Sequence, residues 1–154
     1  MAMKFQGSVT IDAPRERVFE FLTDPHQITQ CAPDVKSLDV IDDDHFKVVV
    51  RAGVGFVKAT FAMDVTWLER NAPESAVTRA RGNAPGSAVD MTASMQLVED
   101  GKGTRLDWQA DVTIAGTIAS VGARLMQGAA NSITGQVFAC VKKKLEAGAT
   151  PSTC

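Results

Sequence analysis

Residues 116–147 read GTIASVGARLMQGAANSITGQVFACVKKKLEA, with no proline among them. Ile118, Val121, Leu125, Ala129, Ile133, Val137 and Val141 recur in steps of three or four, the period of one helix face. Ser120, Arg124, Gln127, Asn131, Thr134 and Lys142 fall on the other side. The spacing predicts one amphipathic helix over Ile118–Leu145, about 42 Å long at the usual rise. A rod of that length needs a broad surface to lie on. Gly122, Gly128 and Gly135, with Ala123, Ala129 and Ala130, keep its side chains small. Each interior glycine costs roughly 1 kcal/mol against alanine. From the helix alone, tight packing on a sheet is the favoured explanation, and a helix roofing a cavity is the alternative.

The surface for this helix is supplied upstream. Phe5, Gly7, Val9 and Ile11 alternate with polar residues, as in a half-buried strand. Asp12-Ala13-Pro14 opens a short helix carrying Val18, Phe19, Phe21 and Leu22. Asp24-Pro25-His26-Gln27 opens a second, with Asp24 as cap and Gln27 placed to reach back. Ala32-Pro33 limits its length. From Val35 the period is two. Asp42-Asp43-Asp44, Asn71-Ala72-Pro73-Glu74, Gly82-Asn83-Ala84-Pro85-Gly86 and Glu99-Asp100-Gly101-Lys102-Gly103 punctuate the strands. Gly53-Val54-Gly55-Phe56 reads as a strand break or bulge. The order is one strand, two short helices, a meander of about six strands, and the long helix. A meander that is polar on one face must hide the other, and the C-terminal helix is the element available to cover it. The expected fold is α+β, a curved antiparallel sheet of about seven strands around the helix, in a single domain over 1–147 with a flexible tail over 148–154.

Composition narrows the function. A hydrophobic fraction of 45%, a charged fraction of 22% and a net charge of −2 describe an ordinary globular chain. They argue against nucleic acid as a partner. The N-terminus does not resemble a signal peptide, and no apolar run is long enough to cross a membrane. Cys31, Cys140 and Cys154 are widely spaced and odd in number. They make neither a disulfide framework nor a metal-ligand pattern, and a reduced, cytoplasmic setting fits them best.

Several short segments in this order resemble the START-like (SRPBCC, birch-pollen-allergen-like) helix-grip superfamily, and within it the family of the carbon monoxide dehydrogenase G subunit. They are Ile11-Asp12-Ala13-Pro14 with Val18-Phe19, Asp24-Pro25 with Cys31-Ala32-Pro33, Val54-Gly55-Phe56-Val57-Lys58-Ala59, Gly103-Thr104-Arg105-Leu106, and Gly116-Thr117-Ile118-Ala119 with Gly122-Ala123-Arg124-Leu125. The likeness covers Met3 to Ala147. Two departures stand out. The family usually has Pro-Gly where this chain has Pro33-Asp34. Some members also continue into a membrane-seeking tail, whereas this sequence ends at Cys154.

The residues offer little for catalysis. His26 and His45 have polar flanks and read as surface side chains. No nucleophile elbow, HExxH or phosphate loop is present. Cys31 has no local base and reads as a buried structural thiol. There is no tyrosine, and the inward stripes carry no charge. Phe61, Met63, Trp67, Met91, Met95, Trp108, Leu125, Met126, Ala129 and Ile133 converge beneath the helix. The pattern alone favours a filled core, while the resemblance implies an internal hydrophobic cavity.

The resemblance further implies a non-catalytic accessory protein that takes a hydrophobic small molecule, quinone or lipid-like, and serves a molybdenum hydroxylase. It needs no cofactor or metal, and it would touch the inner face of the membrane peripherally. Lys142-Lys143-Lys144 alone would give only weak attraction to anionic lipid. The alternatives are a small polyketide-cyclase, dehydratase or hydrolase-like enzyme in the same cavity, and a protein–protein adaptor whose cavity is collapsed.

Overall fold

The structure of the protein, a computed structural model, describes residues 2–32, 34–54 and 57–149. The side chains of 52, 54, 57 and 147–149 also lie outside the described residues. β1 (Ala2–Ile11) leads into α1 (Arg15–Thr23) and the single turn α2 (Pro25–Ile28). There follow β2 (Val35–Asp42), β3 (His45–Val54), β4 (Val57–Asn71), β5 (Ser75–Ala84), β6 (Ser87–Asp100) and β7 (Gly103–Gly116). The last described element is α3 (Ala123–Ala149). The seven strands form one antiparallel sheet in the order β1-β7-β6-β5-β4-β3-β2. This is the expected α+β helix-grip architecture. Of the expected tail, 148 and 149 belong to α3, and 150–154 lie outside the described residues.

Local chemistry accounts for the corners. Thr104, fully buried, donates its hydroxyl to the Ala13 carbonyl at 2.8 Å, fixing the step from β1 to α1. Asp24 caps α2, accepting from the His26 amide at 2.9 Å and from the Gln27 side chain at 2.8 Å. The Gln27 hydrogen bond is the main reason its carboxyl is held below the usual carboxylate range. Asp34 occupies the left-handed region at φ 48°, the conformation that the family's usual glycine adopts freely. Its carbonyl accepts from the Arg51 amide at 3.0 Å, so the turn forms with aspartate in the glycine position.

Four expectations are corrected. First, the C-terminal rod is broken: Thr117–Val121 form a short 3-10 helix, and Gly122 at φ 91° separates it from α3. Gly116 and Gly122 both take left-handed angles, which the apolar periodicity does not reveal. Second, the helix glycines do not serve close packing, since a Cβ at Gly128 or Gly135 would meet nothing within 4 Å. Third, β5 continues through Gly82 to Ala84. A Cβ on Gly82 would stand 2.2 Å from the Met63 sulfur, so glycine there admits a neighbour and does not end the strand. Fourth, Cys31 and Cys140 form a disulfide, tying the segment after α2 to α3. Residues 109 apart in sequence meet only once the fold has formed, so spacing could not pair them. With this pairing the cysteines no longer point to a reducing compartment. The expected break at 53–56 falls where residues 55 and 56 lie outside the described residues.

Two clusters of buried side chains hold α3 down. One gathers Ile11, Val18, Phe19, Phe21, Leu22, Leu97 and Leu106 around Val141 and Leu145 near the end of α3. The other gathers Phe61, Ala110, Val112, Ile114 and Ile118 around Met126 near its start. The stretch between these anchors includes the exposed Gly128 and Gly135. Replacing each of these with alanine is expected to raise unfolding free energy by about 0.5–1 kcal/mol in urea titration. Gly116→Ala is expected to lower it by about 1–3 kcal/mol, because its Cβ would lie 2.0 Å from the Gly86 carbonyl oxygen.

Candidate ligand cavity

Hydrogen-bond register explains why space remains under the middle of α3. One row across the sheet runs Phe5, Ala110, Ala93, Thr78, Trp67, each residue opposite the next on the neighbouring strand. Its ends are aromatic and its centre is two alanines and a threonine. Across from it α3 presents Ala129 and Ala130. Small residues facing small residues cannot meet across the gap between a sheet and a helix anchored at both ends. A cavity of about 520 Å³ results.

Alternation on the strands and the helix period on α3 supply the lining. From β6 come Val89, Met91, Ala93 and Met95; from β7, Leu106, Trp108, Ala110, Val112 and Ile114. Met126, Ala129, Ala130, Ile133, Thr134, Val137 and Phe138 descend from one face of α3. Leu22 and Ile28 close the end beneath α1 and α2. Trp108 sits over Gly7, where a Cβ would come within 2.9 Å of the indole nitrogen, and its ring centroid is 6.1 Å from that of Phe138. Glycine at position 7 therefore leaves room for the indole.

Of the ten residues expected to converge here, Trp67, Met91, Met95, Trp108, Met126, Ala129 and Ile133 line the cavity. Phe61 is buried in the cluster near the start of α3, and Met63 packs against that cluster. Leu125 is 45% exposed on the outer face of the helix. Repeated steps of four drift around the helix, so Leu125 falls outside the face of α3 that carries Met126, Ala129, Ala130 and Ile133. Among the lining residues not anticipated are the alanines Ala76, Ala93, Ala110 and Ala130, and Leu22 and Ile28 of α1 and α2. Small size and tertiary contact define them, and neither gives a sequence signal.

No lining residue among the described residues is ionisable. The groups with displaced titration lie elsewhere: Asp24 caps α2, and Asp90 is held below the usual carboxylate range chiefly by its hydrogen bond from Arg79. His26 is exposed, and His45 pairs with Asp64 between β3 and β4; neither lines the cavity. Among the described residues no group of His, Cys, Asp and Glu could hold a metal ion. A broader depression of about 750 Å³ on the outer sheet face is edged by Gln6, Ser8, Gln96 and Gln109, with Asp107 and Glu69. Its polar, partly charged rim lacks the apolar enclosure that favours small-molecule capture.

The CoxG family, that of the carbon monoxide dehydrogenase G subunit, matches residues 7–146, and the chain belongs to that family. No curated protein sequence matches the chain. Solved structures share the fold at low identity. A conserved protein from Geobacillus kaustophilus aligns with TM-score 0.88 and 21% identity over 94% of this chain and 96% of its own. A START superfamily protein from Mycobacterium smegmatis aligns with TM-score 0.73 and 12% identity over 94% and 97%. The Zhui aromatase/cyclase from Streptomyces sp. R1128 gives 0.71 and 16% over 95% and 94%. These likenesses establish the START-like fold and nothing about chemistry.

Enlarging a residue that faces open space should be tolerated where enlarging one in a filled core is not. Ala93→Leu is expected to leave unfolding free energy unchanged or higher in denaturant titration. A loss of about 1–3 kcal/mol, the usual result of overpacking, would show the space to be filled.

Proposed function

We propose that this CoxG family member is a non-catalytic carrier of a hydrophobic small molecule. The reading rests on one observation: a cavity of about 520 Å³ whose lining, among the described residues, is apolar apart from a few hydroxyl and indole groups and carries no ionisable side chain. Burying apolar ligand surface there gains about 25 cal/mol per Å². The methionines Met91, Met95 and Met126 can adapt to irregular shapes. Catalysis needs groups that stabilise a changing charge, and this lining offers no carboxylate, imidazole, ammonium or guanidinium. That weighs against a cyclase, dehydratase or hydrolase, although an aromatase/cyclase shares the fold.

Family membership supports a finer assignment. The ligand is a quinone or a similar lipid-like molecule, and the recipient is a molybdenum hydroxylase of the carbon monoxide dehydrogenase type. No helix among the described residues is long and apolar enough to cross a membrane. Contact with a bilayer would therefore be peripheral, with Lys142, Lys143 and Lys144 adding about 1 kcal/mol each near an anionic surface.

Native mass spectrometry of protein purified from a membrane-containing lysate should show a bound hydrophobic molecule that organic solvent extracts. Ala129→Phe, which projects a ring into the cavity, should reduce retained ligand at least tenfold while the protein still unfolds cooperatively. Consistently empty wild-type protein with no affinity for quinones or lipids contradicts the carrier reading.

A further inference from the structure

Residues 24–32, which carry α2, form a strap at one end of the cavity, where Ile28 joins the lining. Among the described residues, nearly all the strap's hydrogen bonds are internal. The backbone amides from Gln27 to Ala32 donate to carbonyls between Asp24 and Thr29. The side chains of Thr29 and Gln30 donate to the Pro25 and His26 carbonyls, and that of Gln27 to Asp24. Outward, the Asp24 amide donates to the Glu20 carbonyl of α1, and Ile28 and Cys31 pack in the buried cluster around Val141. The tie to α3 is the Cys31–Cys140 bond, with Cys140 Sγ also 3.9 Å from the Gln30 carbonyl oxygen. A segment knit mainly to itself opens as a unit once its outward tie is cut.

That tie stands beside the cavity. Val137 and Phe138, within one turn of Cys140 on α3, line it, as does Ile28, three residues before Cys31. A second hollow, of about 350 Å³, lies against the strap as well. Asp24, Pro25 and His26 line its strap side, and Asp42, Phe46 and Arg70 its sheet side. Trp67 lines both the hollow and the cavity. Strap and Trp67 thus form the wall between the two, and the hollow gives the strap space to move into. Cys31 is buried and Cys140 partly exposed, so an incoming thiolate meets Cys140 first.

From this geometry we infer that the Cys31–Cys140 disulfide is a redox latch on the cavity: oxidised, it holds the strap to α3 and retains the ligand; reduced, it frees the strap and speeds ligand release. The inference rests on the carrier reading and adds to it a control of release. The reductant is a dithiol. One of its thiolates attacks Cys140 Sγ, the Cys31–Cys140 bond breaks, and Cys31 leaves as a thiolate. The second thiol then displaces Cys140 from the mixed disulfide. Two electrons pass to the protein, the reductant departs as a disulfide, and the two protons its thiols gave up reach Cys31 and Cys140 through solvent. A bond that only stapled the fold would loosen the whole chain when cut, whereas a latch loosens the strap.

The test probe is N-phenyl-1-naphthylamine, an apolar dye that brightens in apolar surroundings. Stopped-flow mixing of dye-loaded full-length protein with excess phosphatidylcholine vesicles reads the release rate. The sequence has three cysteines, so thiol titration should find only Cys154 free in air-oxidised protein and all of them free after dithiothreitol. Dithiothreitol should speed release about tenfold or more. The double variant Cys31→Ser, Cys140→Ser should release quickly with or without it. On reduction, hydrogen exchange should quicken at the amides of 26–32 while those of β6 and β7 stay protected. Release at one rate in both redox states would overturn the inference while leaving the carrier reading standing. Exchange that quickens alike in the strap and in β6 and β7, or a reduced chain that no longer unfolds cooperatively, would make the bond a staple of the whole fold and overturn the inference too. Retention of the dye in neither state would bring down the carrier reading, and the inference with it.

Discussion

The architecture depends on a helix clamped at both ends over a sheet that is small in the middle. Val141 and Leu145 are buried against Ile11, Leu97 and Leu106 at one end, and Met126 against Ile114 and Ile118 at the other. A helix is stiff on the scale of three turns, so two anchors fix its height along its length. Between them Ala129 and Ala130 face Ala93 and Ala110, and neither helix nor sheet can relax to close the gap. Emptiness here follows from anchoring and requires no special element. The destabilisation that an unfilled apolar space brings is of the kind a ligand can relieve.

Other features reinforce the clamp near the end of α3. The Cys31–Cys140 disulfide joins α3 to the segment after α2, closing a loop long enough to stabilise the fold by about 4–5 kcal/mol on chain-entropy arguments. The Asp12 amide donates to the Glu146 carboxylate at 3.0 Å, and Thr104 locks the corner beside it. The other end is held by apolar contacts and the left-handed hinges Gly116 and Gly122. The two ends of the cavity are therefore held by different kinds of interaction.

Much of the fold was legible in the sequence because alternation and helical period report burial directly. Every inward residue named on β1 lies on its less exposed side, and Asp24 caps α2 as expected, although Gln27 reaches back to its carboxylate and not to its amide, which donates to the Glu20 carbonyl. What escaped notice has physical causes. The break at Gly122 is a backbone angle, invisible to a hydrophobic pattern that runs through it. The disulfide joins residues that are distant in sequence. Gly82 resembled a turn residue, yet it makes room for Met63 inside a strand. The candidate site was half legible for the same reason: Met91, Met95, Trp67 and Trp108 are large and periodic, but the alanines that create the space carry no signal until register sets them in one row.

Xenon-pressurised crystals probe the empty space itself, since dry apolar cavities take up xenon. Xenon density is expected between Ala93 and Ala110 on the sheet and Ala129 and Ile133 on α3, with those side chains unmoved. Side chains interdigitated across that space with no xenon bound, or a chain of ordered waters held by polar groups there, would contradict a helix clamped above an apolar void.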